Sequence, residues 1–447
     1  MRYVYFVTIV AAVGGLLFGY DTAVIAGAIG FLQIKFELSA AMTGWAASSA
    51  IWGCVAGAIL SGQASDRAGR RKMLMVSAIL FAVGSIGSAI PSNLSQFVLA
   101  RFVGGVGVGA ASILSPLYIS EIAPAAIRGT LVTIYQVAIV VGINLIYIIN
   151  WLIAGMGGDA WNVNTGWRYM LGSEVVPSAV FFFLLFLVPE SPRWLAGKGK
   201  IEEAGKILRK VNGDKQGELI LGEIKRTLQE EKGTFAELFR PGLRKAMIIG
   251  IVLDIFSQVT GINSIIYYAP DIFKRAGFGT ASAFLQTVII GAVITLFTFV
   301  AMRLVDRVGR RILLLWGVSG MAVFLLAICV LYYFHWTQGP WLLMFILGYI
   351  ACFGASLGPV PWVIISEIFP NKTRGLAMSV AVLTLWLSIV LVTQFFPMLM
   401  EAVGGVFTFG LFMVNSIILV IFIWKKVPET KGKTLEEIET NWKHTRI

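Results

Sequence analysis

Twelve apolar runs, each long enough or nearly long enough to cross a bilayer as a helix, leave this chain few architectures to adopt. They are Val4–Phe31, Thr43–Ala64, Met73–Ile90, Gln96–Ile122, Thr130–Ala154, Tyr169–Val188, Ala246–Ile272, Ala283–Val305, Ile312–Tyr333, Trp341–Ile368, Leu376–Glu401 and Val406–Trp424. A membrane-spanning helix needs ~20 such residues. Only 13% of the 447 residues are charged, against roughly 25% in a soluble domain, which is too little polar surface to cover a water-soluble globule. The ~10-residue alternating segments of a membrane barrel are lacking. The expected class is an all-α membrane protein of twelve transmembrane helices. The first run continues through Asp21 with no small-residue cleavage site after it, so it reads as helix one and not as a removable signal peptide.

The net charge of +12 does not point to nucleic acid, because the basic residues sit in short loops between apolar runs. Arg67, Arg70, Arg71 and Lys72 follow the second run, and Arg128 follows the fourth. Thirteen Lys and Arg lie between Pro189 and Lys245, and Arg307, Arg310, Arg311, Lys372, Arg374 and the tail carry most of the rest. The opposite loops hold only Lys35, Arg168, Lys274 and Arg275. Basic loops stay on the cytoplasmic side, so both termini and the central segment are expected there. Within that segment, 201–211 and 219–230 space their apolar residues as short amphipathic helices lying on the cytoplasmic face.

Enzymatic and metal chemistry find no support. Cys54, Cys329 and Cys352 lie in apolar runs without CxxC spacing, and His335 and His444 fall in a loop and in the tail. No metal site, cofactor or catalytic residue is expected. Gly104-Gly105-Val106-Gly107-Val108-Gly109 has the look of a nucleotide loop, but no strand precedes it. Asn93-Leu94-Ser95 matches a glycosylation pattern by chance, in a very short loop.

The chain repeats itself. Asp66-Arg67-Ala68-Gly69-Arg70-Arg71 recurs 240 residues later as Asp306-Arg307-Val308-Gly309-Arg310-Arg311. Ser120-Glu121-Ile122-Ala123-Pro124 with Arg128-Gly129 recurs as Ser366-Glu367-Ile368-Phe369-Pro370 with Arg374-Gly375, and Pro189-Glu190-Ser191 as Pro428-Glu429-Thr430. Three matched motifs in one order mean two six-helix halves of the same orientation, residues 1–188 and 246–424, joined by a cytoplasmic linker, 189–245, and followed by a tail, 425–447. Parallel halves with a mid-membrane site are a transporter architecture.

Asp21, Arg101, Glu174 and Asp254 lie inside apolar runs. Each costs at least ~2.5–3.5 kcal/mol at the bilayer centre when exposed to lipid, so each must face protein or water. Asp21 and Arg101 are a plausible pair, and a motion that separates them favours a proton on Asp21 while their approach releases it. Asp254 precedes Ser257 and Gln258 by three and four residues, on one helix face. A substrate hydroxyl, a second proton, a cation, or a water-touching position near a helix end each fit it. Gln136, Gln258 and Asn263 are amides that both donate and accept, and Trp362 and Trp386 offer aromatic platforms. A pyranose, with hydroxyls around an apolar ring face, needs that combination. Thr260-Gly261-Ile262-Asn263 and Gly358-Pro359-Val360-Pro361 interrupt the seventh and tenth runs.

Taken together, DRAGRR and DRVGRR, SEIAPAAIRG and SEIFPNKTRG, PESPRWL and PETKGKTLEEIE resemble the sugar porter family of the major facilitator superfamily, from Gly14 to the tail. That resemblance implies the major facilitator fold and a secondary active transporter that takes up a monosaccharide or polyol with protons by alternating access. Its xylose and arabinose symporters are the type most like this chain. It implies proton coupling at Asp21 in GYD, Arg101 in RFxGGxGxG and Glu174 in WRYMLGSE. It implies substrate contacts at Gln136, Gln258, Asn263, Trp362 and Trp386, and an outer gate at Tyr267 and Tyr268; Ser257 stands at a position of that motif, while Asp254 joins the candidate substrate site by helix spacing alone, since the family pattern has no acid there. The inner gate is implied at Asp66, Arg70, Arg71, Glu121, Arg128, Glu190, Arg193, Asp306, Arg310, Arg311, Glu367 and Arg374, as ion pairs between the halves that close and open as a latch.

Three positions depart from the pattern. Ser257 replaces the first Gln of QQxxGIN, Leu385 an amide before the second Trp, and Ile294 a helix-eight Asn. A pocket less polar on its C-terminal side than a typical hexose site follows, so a pentose, a polyol such as an inositol, or a substituted sugar fits. The competing readings are a proton-independent facilitator, a non-transporting sugar sensor, which needs a longer signalling tail, and a drug exporter, which does not need the amide set. A protein working as a monomer in a bacterial inner membrane suits the short outer loops.

Overall fold

The computed structural model describes residues 2–124, 127–229, 237–238, 241–369 and 371–431, the side chains of 227–229, 241–242, 366 and 371–375 excepted. Twelve spans among them are helical, long and apolar enough to cross a membrane. The first six are α1 (Arg2–Lys35), α2 (Ala40–Ala68), α3 (Arg70–Ala89), α4 (Leu94–Ile122), α5 (Arg128–Ala154) and α6 (Asp159–Leu187). Three short helices follow, α7 (Pro192–Gly197), α8 (Ile201–Asn212) and α9 (Asp214–Gln229). The seventh span is broken into α10 (Pro241–Val259) and α11 (Ile262–Arg275). Then come α12 (Thr280–Val308), α13 (Arg310–Tyr333), a tenth span in two pieces, α14 (Pro340–Ala355) and α15 (Val360–Ile368), and finally α16 (Asn371–Ala402) and α17 (Gly404–Lys426).

Helices overrun their apolar runs where side chains satisfy their open ends. α3 begins at Arg70, three residues before its run, because Glu190 Oε1 accepts the N–H groups of Arg70 (2.9 Å) and Arg71 (3.1 Å). A carboxylate there pairs donors the first turn leaves open and meets the positive end of the helix dipole. Glu429 does the same for α13, accepting from Arg310 and Arg311, both at 3.0 Å. α6 begins at Asp159, not Tyr169. A π turn over Asn162–Gly166 carries the chain into it, with Asn162 Nδ2 donating to the Ala154 carbonyl at 3.0 Å. Arg168 is therefore a helical residue, donating to the carbonyls of Ala89 and Pro91 and lying 4.3 Å over the Trp167 ring.

The chain divides into two compact units, Met1–Phe36 with Ser49–Glu231 and Glu37–Ser48 with Lys232–Ile447. These limits differ from the expected ones in two ways. The expected linker is divided, with its residues up to Glu231 in the first unit and those from Lys232 in the second. Leu195, Ala196 and Ala204 form a small core in the first of these parts, covered by Trp194, Ile207, Leu221 and Ile224. Trp194 Nε1 donates to the Asp66 carbonyl at 3.0 Å, and the Lys210 ammonium sits 3.8 Å over the Tyr3 ring. The N-terminal part of α2, up to Ser48, belongs to the second unit, where Ser48 Oγ donates to Gln394 Oε1 (2.9 Å) and Gln394 Nε2 to the Ala41 carbonyl (3.0 Å).

Inside the units the packing repeats as the motifs do. α1 with α5, α3 with α4 and α3 with α6 in the first unit correspond to α10 with α16, α13 with α14 and α13 with α17 in the second. Close approach is made by glycine. On α4, a Cβ at Gly105 or Gly109 would fall inside the carbonyls of Ala50 and Cys54 on α2. Membrane helices gain little from burying apolar surface against one another, so such contacts carry their packing.

Candidate functional site

The first unit holds a charge cluster in its interior. Asp21, Arg101 and Glu174 are 3%, 4% and 1% exposed. Arg101 Nη1 meets Asp21 Oδ1 at 2.5 Å, and Nη2 reaches Asp21 Oδ2 at 3.4 Å and its carbonyl at 3.3 Å. Glu174 lies close to both the Asp21 carboxyl and the guanidinium. Its Oε1, like Arg101 Nε, has no hydrogen-bond partner. Tyr20 and Ser173, the preceding neighbours of the two acids, share a hydrogen bond of 2.7 Å that ties α1 to α6. Glu174 stands where α6 is interrupted by a turn, and its carbonyl accepts from Ser178 Oγ at 2.7 Å. Two carboxyls and one guanidinium form a neutral group only when one proton is shared between the acids. An uncompensated charge there costs several kcal/mol, of order 3–5 when a partner is removed.

The second unit holds an amide relay at the break between α10 and α11. Asn263 Nδ2 donates to Gln258 Oε1 at 2.5 Å, Gln258 Nε2 to Ser257 Oγ at 2.8 Å, and Ser257 Oγ to the Asp254 carbonyl at 2.7 Å. The relay fixes the Gln258 amide, using one of its N–H groups and the amino group of Asn263, so a second Gln258 N–H and Asn263 Oδ1 are not part of it. Asp254 is 1% exposed with Oδ2 unpartnered, so its reading as a water-touching residue near a helix end is set aside. The other three readings stand. Trp386 is buried and Trp362 on α15 half-buried. Ile294 and Leu385, where amides were missed, are buried too. Gln136 sits half-buried on α5 of the first unit.

Tyr267 and Tyr268, expected at an outer mouth, are both buried. Tyr268 donates to the Thr393 carbonyl on α16 at 3.0 Å and lies 5.2 Å from the Phe396 ring. It is a fastened side chain in this state.

The motif charges gather at the helix ends beside the α2–α3 and α12–α13 turns. The observed pairs join helices of the same unit. Arg70 reaches Asp66 at 2.7 Å and both Glu121 oxygens at 3.2 Å, while Ser191 Oγ donates to Glu121 Oε2 at 2.5 Å. In the second unit Arg310 meets Asp306 and Glu367, each at 2.9 Å, and Thr430 Oγ1 donates to Glu367 Oε2 at 2.6 Å. Arg71 donates to the Leu185 carbonyl at 2.8 Å and Arg311 to that of Trp424. The α4–α3 connection and its counterpart are thereby held rigid within each unit. Arg128 and Arg193 are exposed and enter no ion pair among the described residues. The side chain of Arg374 lies outside the described residues. Glu429 plays the part of Glu190, a role its place in the repeated Pro-Glu-Ser/Thr triplet could have announced.

Arg70→Ala and Asp66→Ala separate buried from exposed members of this network. Glu121 has a 5% exposed side chain, whereas that of Asp66 is 61% exposed. Losing Arg70 strands a buried carboxylate, worth about 3–5 kcal/mol, while losing Asp66 is worth under about 1 kcal/mol. Thermal unfolding of the detergent-solubilised protein should show a clearly lower midpoint for Arg70→Ala and a midpoint near wild type for Asp66→Ala. Equal midpoints would refute the assignment.

Known proteins resemble the chain over nearly its whole length. The chain is 46% identical over 443 residues to the arabinose-proton symporter of Bacillus subtilis, covering 99% of this chain and 96% of that one. It is 41% identical over 474 aligned positions to the D-xylose-proton symporter of Escherichia coli, covering 98% and 96%. Among solved structures, the partially occluded inward-open conformation of the xylose transporter XylE from E. coli superposes with a TM-score of 0.87 at 40% identity, over 97% of this chain and 100% of that one. The profile described as sugar (and other) transporter matches residues 7–442, and the chain belongs to that family.

Proposed function

We propose that this protein is a proton-coupled importer of a monosaccharide, with a pentose such as arabinose or xylose as the first candidate. The carrying observation is the buried Asp21–Arg101–Glu174 cluster, which is neutral with one proton. The names of its relatives support both the proton and the pentose. Gln258 and Asn263 hydrogen-bond sugar hydroxyls through the groups their relay leaves over. Gln136 adds an amide, Trp362 and Trp386 aromatic surface, and Ser257 holds Gln258 in place. Asp254 offers a further polar group on the same helix face. A hexose or polyol is the second choice, favoured by no contact seen so far.

The cycle follows from charge. In the paired state Asp21 is neutralised by Arg101, and a proton resting on Glu174 completes the neutrality of the cluster. When a conformational step draws them apart, Asp21 takes a proton, since a lone buried carboxylate is disfavoured. Reversal of that step returns the pair and expels the proton. Alternating exposure of the sugar site, in the same cycle, ties sugar movement to proton movement. Tyr267 and Tyr268 serve the outer closure and the cytoplasmic motif residues, Arg128, Arg193 and Arg374 included, the inner one. We place the protein in a bacterial inner membrane, both termini cytoplasmic, working as a monomer.

Proteoliposome uptake of labelled pentoses, hexoses and inositols, with and without an inward proton gradient, tests this. One pentose should accumulate above equilibrium only with the gradient. Equilibration indifferent to the gradient would leave a facilitator, and transport of no sugar or polyol would end the sugar reading.

A further inference from the structure

The break in the seventh span exposes backbone that a continuous helix would pair. Without it, the carbonyls of Val259 and Thr260 would accept from the N–H groups of Asn263 and Ser264. Here α10 stops at Val259, Gly261 turns the chain at φ 98°, and α11 starts at Ile262. Two carbonyls at membrane depth are left over, and such groups must find partners within the protein.

They do, from two helices that carry none of the predicted site residues. Asn415 Nδ2 on α17 donates to the Val259 carbonyl at 2.9 Å. Tyr349 OH on α14 donates to the Thr260 carbonyl at 3.0 Å, in a fully buried contact. Phe412, one turn before Asn415 on α17, fills the space over Gly261, so that a Cβ at this glycine would lie inside its ring. α17 thus presents a wedge and a donor to the same break. Asn415 stands in an otherwise apolar stretch, Phe409–Ile423, broken only by itself and Ser416. An amide there is costly unless its hydrogen bonds are made.

The break also places the amides. Asn263 is the second residue of α11 and Gln258 the second-last of α10, and their 2.5 Å contact spans the gap. A resealed helix would pair the Asn263 backbone with Val259 and rotate its side chain away from Gln258. We infer that Asn415 and Tyr349 are positioning residues for the sugar-binding amides: by occupying the two freed carbonyls they hold the break open and set the Gln258–Asn263 geometry. The inference rests on the proposed role of Gln258 and Asn263 in sugar contact.

The test is pentose uptake by purified protein in proteoliposomes, normalised to folded transporter, for Asn415→Leu and Tyr349→Phe. Each should raise KM about tenfold, the scale of one unmatched buried hydrogen-bonding group, with Vmax per folded molecule within about twofold. General helix glue would instead lower the yield of folded protein at unchanged KM, and that result overturns the inference. A cycle with Gln258→Ala sharpens it. If Asn415 acts through Gln258, Asn415→Leu should change KM less than about threefold in the Gln258→Ala background, because neighbours in one network are not additive. Full additivity overturns it. Should Asn415→Leu fail to fold, Tyr349→Phe, which loses one oxygen, carries the same KM and cycle readings. A wild type that moves no sugar overturns the transport reading itself and this inference with it, a result distinct from a wild type whose KM the variants leave untouched.

Discussion

Asp21→Asn is expected to abolish sugar accumulation while leaving sugar exchange across the membrane intact. The argument is one of charge count. In the wild-type cluster two acids and one base need one proton for neutrality, and Asp21 is the acid that Arg101 holds directly, at 2.5 Å. With Asn at that position, Glu174 alone remains to neutralise Arg101, and the pair is neutral without any proton. The acid that the conformational step separates from Arg101 is then missing, so that step no longer loads a proton. A gradient of one pH unit stores about 1.4 kcal/mol per proton and supports up to about tenfold accumulation at one proton per sugar. In the variant, internal and external sugar should level out, an accumulation ratio falling from near ten to one. Counterflow of labelled against unlabelled sugar needs no proton and should survive. Loss of counterflow as well would mean that Asp21 is a structural ion-pair partner, whose direct contact with Arg101 Glu174 does not replace.

Gln258→Ala is expected to raise KM by about 10- to 100-fold, corresponding to about 1.5–3 kcal/mol, with Vmax changed far less. Gln258 is the centre of the relay, accepting from Asn263 and donating to Ser257. Its removal deletes one amide contact to the sugar and frees Asn263 to turn away, so two polar partners are lost at once. A hydroxyl brought to a dry site without its partner costs about 1–3 kcal/mol. Such a site discriminates strongly because its own polar groups are otherwise unpaired. The measure is initial uptake rate against sugar concentration, normalised to folded protein. An unchanged KM would move the sugar site away from the α10–α11 break.

Much of this was legible in the sequence, for physical reasons that also explain what was not. Twelve helices follow from apolar length, and the Asp21–Arg101 pair from the cost of charge in a membrane. The repeated motifs announce the matched packing of the two units. What sequence could not show was which partner each charge takes. Opposite charges at helix ends are compatible with pairs inside or between the halves, and the structure has Arg70 with Glu121 and Arg310 with Glu367 inside them. The early start of α6 was hidden because Asp159, Asn162 and Asn164 read as loop residues. It depends on side-chain bonds such as that of Asn162 to Ala154, which no hydropathy pattern carries. Tyr349 and Asn415 were passed over because a lone Tyr or Asn in an apolar run most often serves packing. Only the freed carbonyls of Val259 and Thr260 give them a task.

The central claim is that sugar and proton move together, and sugar-evoked proton flux tests it most directly. Proteoliposomes holding a pH-sensitive dye, with no imposed gradient and with the membrane potential clamped, would receive arabinose or xylose from outside. The account predicts that the lumen acidifies as the sugar enters, and that Asp21→Asn liposomes take up the same sugar without acidifying. Sugar entry into wild-type liposomes with no change in lumenal pH would contradict it.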